Sequence, residues 1–258
     1  MTGGARVPAL ERAGRFFFAY RNALFPVVLV ALLGGFPPAR VLGSAHADHW
    51  VDAAGIGVAA LGQALRAVVI GLAYIRRGGR HGQVYAARLV TEGMFGHCRN
   101  PLYVGNLLVL LGLFLVHGHP WVVGLGLAFF AFAYRAIVAA EETYLRERFG
   151  PAYDAYCARV PRWLLDPRGL GRSLRGMTFD WRKVIAKEYG STAVWIACVV
   201  LLLAYETITF DGVAGHERGL SILAGLLLMV AAAWAVARYW KKTRPAAGGA
   251  HVSASGAP

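Results

Sequence analysis

The stretch TEGMFGHCRNPLYVG, residues 91–105, decides how this chain is read. Pro101 has no amide hydrogen, so it suits the first turn of a helix and not its middle. Asn100 just before it is a good N-cap, because its side chain can accept from first-turn amides that lack a partner. An apolar run over residues 102–116 follows at once. The stretch is therefore expected to start a helix at the edge of an apolar span. Its amide donors and positive dipole end would face whatever binds outside that span. Gly93 and Gly105 would let backbone approach a ligand closely, and Phe95, Arg99 and Tyr103 supply rings and a cation between them.

Outward from this point the composition is that of a membrane protein. The 258 residues are 57% hydrophobic and only 16% charged, and the mean hydropathy is +0.48. The net charge of +13 raises the question of nucleic acid. The basic residues, however, lie in the loops between apolar spans, and no nucleic-acid motif is present. Positive-inside topology explains the charge, and no nucleic-acid partner is expected. Cys98, Cys157 and Cys198 form neither a metal-type spacing nor a disulfide set. Cys98 has only His97 beside it as a base and is read as incidental.

The fold expected is an all-α integral membrane protein with about six transmembrane helices. They are read at residues 23–36, 50–75, 102–116, 121–140, 192–210 and 220–239. A basic arm, residues 1–22, precedes the first span, and a membrane core covers 23–165. A basic, aromatic-rich segment over 166–191 suits an anionic membrane surface. A C-terminal transmembrane hairpin covers 192–240, and the Gly-, Ala- and Ser-rich tail, 241–258, is expected to be disordered. The second span carries Gly55, Gly57 and Gly62, which permit close helix packing. It also places Gln63 and Arg66 at membrane depth, where a charge is costly unless paired or wet and is functional by default. His117 and His119 resemble half of a metal site but have no third ligand near in sequence, so a plain turn is expected and no metal. That turn is too short for anything but an antiparallel hairpin. Residue 101 and the pair Glu141-Glu142 must therefore return to the same membrane face.

The arrangement Gly93-x-Phe95-x-x-x-Arg99-Asn100-Pro101-x-Tyr103-x-Gly105 resembles the signature of integral-membrane methyltransferases, the group that includes isoprenylcysteine carboxyl methyltransferases and phospholipid methyltransferases. The second half of that signature follows one hairpin later as Glu141-Glu142, Leu145, Phe149-Gly150, Tyr153, Tyr156 and Val160-Pro161-Arg162. The two halves in this order and spacing are more specific than either alone. Asn100 stands where the isoprenylcysteine enzymes usually carry His, which is closer to the phospholipid-methylating branch.

The resemblance implies S-adenosylmethionine as methyl donor, bound at the cytoplasmic face, and a lipid or isoprenoid acceptor. Cofactor contacts would come from Gly93, Phe95, Arg99, Asn100, Pro101, Tyr103, Gly105, Glu141, Glu142, Tyr153, Tyr156 and Arg162. Glu141 or Glu142 would meet the donor's ammonium or ribose hydroxyls, and Arg99 or Arg162 its carboxylate. Tyr103 would pack on the adenine or the sulfonium. Arg66 and Arg135 could orient an acidic acceptor, and His97 is the candidate base for an acceptor that must lose a proton. Methyl transfer asks mainly for positioning and exclusion of water. Lys and Arg concentrate in the arm, the loop before the motif, residues 141–191 and the tail, whereas the opposite loops hold Arg40 and Arg218. Both termini and the site are thus expected on the cytoplasmic side. An NADPH-dependent membrane reductase of the sterol-reductase type, and a non-catalytic membrane scaffold, are the alternatives; the oligomeric state stays open.

Overall fold

The computed structural model describes residues 8–72, 77–80, 83–86, 89–175 and 177–243. Its helices are α1 (Ala9–Gly35), α2 (Ala45–Leu72), α3 (Pro101–His117), α4 (Pro120–Phe149), α5 (Pro151–Arg159), α6 (Leu170–Leu174), α7 (Trp181–Phe210) and α8 (Glu217–Thr243). Short 3₁₀ turns occupy Val41–Gly43 and Gly93–Gly96. One antiparallel hairpin joins β1 (Arg77–Arg80) to β2 (Gln83–Ala86), with Arg77 opposite Ala86. The loop before the motif therefore holds a small ladder that its sequence did not announce. Among the described residues the other elements are all helical. Helices α1, α2, α4, α7 and α8 are long and apolar enough to cross a membrane. The sixth apolar helix, α3, has 17 residues, at the short end of the spanning range. The chain is an integral membrane protein.

The α2–α3 seam is built from glycine. Gly55 and Gly62 of α2 face Gly112 and Gly105 of α3, in antiparallel order. A Cβ on Gly62 would lie 2.6 Å from the Gly105 carbonyl oxygen, and one on Gly105 would lie 2.6 Å from Arg66 Cγ. Small residues two turns apart let the two backbones touch. Gly57 has open space around it and takes no part in the seam.

The α3–α4 hairpin turns as expected. Gly118 closes α3 at φ 70°, a left-handed conformation that favours glycine. His119 Nδ1 accepts from the Trp121 amide at 3.3 Å and caps α4. His117 Nε2 donates to the carbonyls of Leu33 and Phe36, both at 3.1 Å, and ties α3 to the end of α1. Both histidines thus serve the turn.

Helix α1 starts at Ala9, well before residue 23, so most of the basic arm is helical. The reason is packing on α4. Gly14 sits against the Ala136 carbonyl, Glu11 pairs with Arg15 one turn on, and Phe25 meets Phe130 edge-on at 5.2 Å. Phe18, Phe114, Phe130, Tyr134 and Ile137 form the core between α1, α3 and α4.

Helix α7 likewise starts at Trp181 rather than at residue 192. Asp180 caps it by accepting from the Lys183 amide at 3.0 Å, and the Asp180 amide donates to the Gly71 carbonyl of α2 at 3.0 Å. The last part of the basic segment is therefore the first turns of a span. Helix α8 leans on α7, with Tyr189 and Trp234 rings 6.4 Å apart, and none of its residues is buried. It runs through Thr243, into the tail expected to be disordered; residues 244–258, like Arg6, Arg76 and Arg88, lie outside the described residues.

Candidate active site

The starts of α1, α3 and α7 and the ends of α2 and α4 meet at one end of the bundle, and the motif closes over them. Gly93 has φ 59°, and a Cβ there would come within 3.1 Å of Met177, so this turn requires glycine. Phe95 is buried with Val69, Val90 and Met94, and its carbonyl accepts from the Tyr156 hydroxyl at 2.7 Å. The Arg99 amide donates to the Pro161 carbonyl at 2.9 Å, and the Asp166 amide to the His97 carbonyl at 2.9 Å. The two halves of the signature are thus laced together through their backbones.

Asn100 does not cap α3 with its side chain. Its Nδ2 donates instead to the Arg162 carbonyl at 3.1 Å, while its own carbonyl receives the Tyr103 and Val104 amides, both at 3.1 Å. The first-turn donors expected to face a ligand are largely consumed there. Pro101 occupies the first helical position and is buried.

Glu142 is clamped. Arg162 holds it by a two-point fork, Nε to Oε1 at 3.0 Å and Nη2 to Oε2 at 2.6 Å, and Arg99 Nη1 reaches Oε1 at 3.0 Å. Glu142 is 5% exposed, so this is a partly buried triad with strong directional bonds. Burial lowers the Arg99 guanidinium's proton affinity, but Glu142 and Cys157 more than restore it, and its pKa ends above the usual value. Tyr153 is held well above its usual value by burial and by Glu142. Glu142 therefore fixes the arginines. Of the two cations Arg162 is the more open, its side chain 44% exposed against 12% for Arg99.

Glu141 faces a different neighbourhood. Its Oε1 accepts from the Tyr103 hydroxyl at 2.8 Å, and Arg21 Nη1 approaches the same hydroxyl at 3.4 Å. The Tyr103 ring lies 5.1 Å from that of Tyr134. Deeper, Arg66 Nε and Nη2 grip both oxygens of Glu188 at 2.8 Å, and Arg66 Nη1 meets Asn106. Gln63 Nε2 and Ser191 Oγ complete the shell of Glu188 at 3.0 Å each. Arg66 is thus paired, as a charge at that depth requires, with a carboxylate from α7. Beside this network opens a cleft of about 520 Å³ between α1, α2, α3, α4 and α7.

Several residues proposed from the sequence have other duties. Gly105 makes the seam with α2 rather than a ligand contact. Arg135 is exposed and is not among the residues lining the cleft. His97 is buried, with Nδ1 donating to the Asp166 carbonyl at 2.8 Å and Nε2 against Ser173 Oγ at 2.9 Å. A carbonyl only accepts, so Nδ1 carries the proton and the Nε2 lone pair faces the serine hydroxyl. That histidine braces the loop and has no nitrogen to spare as a base. Tyr153 and Tyr156 are the core of α5, packed with Leu145 and Val160. The residues that the sequence reading missed are Arg21, Asn106, Tyr134 and Glu188. Asn106, polar inside an apolar helix, carried the same signal as Gln63 and Arg66. Glu188 was hidden among basic neighbours in a stretch read as interfacial.

Residues 53–152 match the phospholipid methyltransferase family. The resemblance read from the motif holds over that segment. Among curated proteins the chain is similar to the nickel-cobalt-cadmium resistance protein NccN of Alcaligenes xylosoxydans xylosoxydans. The two are 31% identical over 135 residues, which is 52% of this chain and 58% of that protein. It is also similar to the cobalt-zinc-cadmium resistance protein CzcN of Cupriavidus metallidurans, 38% identical over 73 residues, 28% of this chain and 33% of that protein. The chain thus matches little more than half the length of the first and a third of the second. No solved structure matches it.

Proposed function

We propose that the protein transfers a methyl group from S-adenosylmethionine to a lipid-like or isoprenoid acceptor at the cytoplasmic membrane face. The observation that carries this reading is the convergence of Arg99, Tyr103, Glu141, Glu142 and Arg162 at one end of the bundle, from two signature halves within and just beyond the family match. The chemistry of these side chains fits the donor. Glu141 offers a carboxylate for an ammonium or for ribose hydroxyls. Arg162, the more open of the two clamped arginines, offers a guanidinium edge to a carboxylate. Tyr103 offers a ring held in place through its hydroxyl, suited to a cation or an adenine. The donor would bring a methyl group already activated on a sulfonium. The chain's residues then have to bind, align and exclude water.

The Lys and Arg distribution supports a cytoplasmic site. Arg99, Arg146, Arg148, Arg159, Arg162 and the basic residues of 166–187 are at or near the motif end, while Arg40 and Arg218 are at the other. The basic segment before α7 supports contact with anionic headgroups. The names of the curated relatives concern metal resistance, and this reading assigns no part of that role to the chain.

The test is to incubate purified protein in bilayers of total lipid extract with methyl-labelled donor. Label entering the organic phase, and lost with Glu141→Gln, is the expected result. No transfer by protein that binds the donor and remains folded would overturn the acceptor class.

A further inference from the structure

Among the described residues lining the cleft between α1, α2, α3, α4 and α7, the charged side chains are two cations, Arg21 and Arg66. Arg66 is spent on Glu188 and Asn106. Arg21 is not. Its guanidinium lies 4.2 Å over the Phe18 ring and touches the Tyr103 hydroxyl at 3.4 Å. Among the described residues it makes no ion pair with a carboxylate. With only a ring and one long hydroxyl contact, this guanidinium keeps N–H donors that an anion in the cleft can accept.

Two buried polar atoms on cleft residues point the same way. Among the described residues, Gln63 Oε1 and Trp195 Nε1 have no hydrogen-bond partner. A buried donor and a buried acceptor left unmade are costly in apolar surroundings, so the cleft wall carries polar capacity beside Arg66. The remaining walls, among them Phe25, Leu29, Leu110 and Leu113, are apolar. Val194, 60% exposed on α7, lies at an edge open to the bilayer side.

We propose that this cleft binds a membrane-dissolved amphiphile with an anionic oxygen headgroup, held by Arg21, and discriminates against an ammonium headgroup. Arg21, Ser191, Val194 and Trp195, from α1 and α7, all lie outside the family-matched residues 53–152. The inference rests on the methyltransferase reading in one respect: the bound amphiphile is then the methyl acceptor, with its head next to Tyr103 and Glu141 across Arg21. In that transfer the oxygen anion's lone pair would form the O–CH3 bond as the donor's S–CH3 bond breaks, leaving neutral S-adenosylhomocysteine; no proton moves and no base is needed, which agrees with a His97 whose ring nitrogens are both engaged.

The experiment compares oleate with oleylamine, equal tails with opposite heads. Each is titrated against the full chain in phosphatidylcholine nanodiscs, and S-adenosylmethionine binding is measured separately on the same samples. Oleate is expected to bind saturably and about tenfold or more tighter than oleylamine, the scale of one charged hydrogen bond. Arg21→Gln should erase that preference and Arg21→Lys should keep most of it. Val194→Trp, which fills the cleft from an exposed position, should abolish oleate binding in folded protein. Replacing part of the phosphatidylcholine with phosphatidylglycerol separates the sources. Competition with oleate makes the bilayer's own anionic lipid the occupant, and no competition makes it a free amphiphile. Equal or tighter binding of oleylamine, or oleate binding that survives Val194→Trp, overturns the proposal and leaves donor binding, if present, untouched. Selective oleate binding without donor binding would retain the cleft assignment and remove the methyltransferase reading.

Discussion

Glu141 and Glu142 are neighbours in sequence with opposite tasks. Glu142 is locked between Arg99 and Arg162, so its removal would take the carboxylate from a largely buried guanidinium. Glu142→Ala is expected to destabilise the fold by about 3 kcal/mol, the cost of breaking a buried pair from one side. Thermal unfolding in detergent measures it. Glu141→Gln keeps the side chain's shape and an acceptor for the Tyr103 hydroxyl, which makes it the cleaner probe of the site. Cys98 gives a second prediction. It is 1% exposed, and burial raises its thiol above the usual value, so it is protonated at neutral pH and out of reach. Maleimide labelling followed by peptide mapping should find Cys98 unmodified in the folded protein and modified after denaturation. The pairing of the two signature halves could be read from sequence, because an antiparallel hairpin forces them together. Asn100's true bond could not, since the competing acceptor, the Arg162 carbonyl, is supplied by a segment 62 residues away.

At the scale of elements, the glycine seam of α2 and α3 gives the sharpest expectation. Gly62→Leu drives a side chain into the Gly105 carbonyl and Leu108. It should cost about 3 kcal/mol or more by overpacking. Gly57→Ala, with open space around it, should be neutral or mildly stabilising. A denaturation series on the two variants checks the contrast, and equal effects would contradict the seam. Hydropathy located each span because apolar length is a local property. It misjudged where α1 and α7 begin, because those turns are held by contacts rather than by apolarity: Gly14 on Ala136 for α1, the Asp180 cap and the Glu188–Arg66 pair for α7. Arg66 was correctly singled out as expensive, but its partner is 122 residues on, beyond any local pattern.

For the molecule as a whole, helices alternate in direction so that the motif, Arg172 and the start of α7 lie at one end and the α7–α8 turn at the other. In a cysteine-free background, Val213→Cys should react with a membrane-impermeant maleimide added to intact cells. Arg172→Cys should react only after permeabilisation. The reverse pattern would put the site on the outer face. The whole-molecule order was legible because loops between apolar spans must alternate sides and Lys and Arg mark one of them. The cleft was not legible, since five helices contribute to it and the sequence does not say which faces meet.

The most direct test of the central claim is equilibrium binding of S-adenosylmethionine to the purified protein in nanodiscs, with NADPH as comparator and Glu141→Gln alongside. Saturable binding of the methyl donor, absent for NADPH and weakened about tenfold or more in folded Glu141→Gln, is the predicted result. Binding of NADPH in its place, or donor binding indifferent to Glu141, would contradict the account.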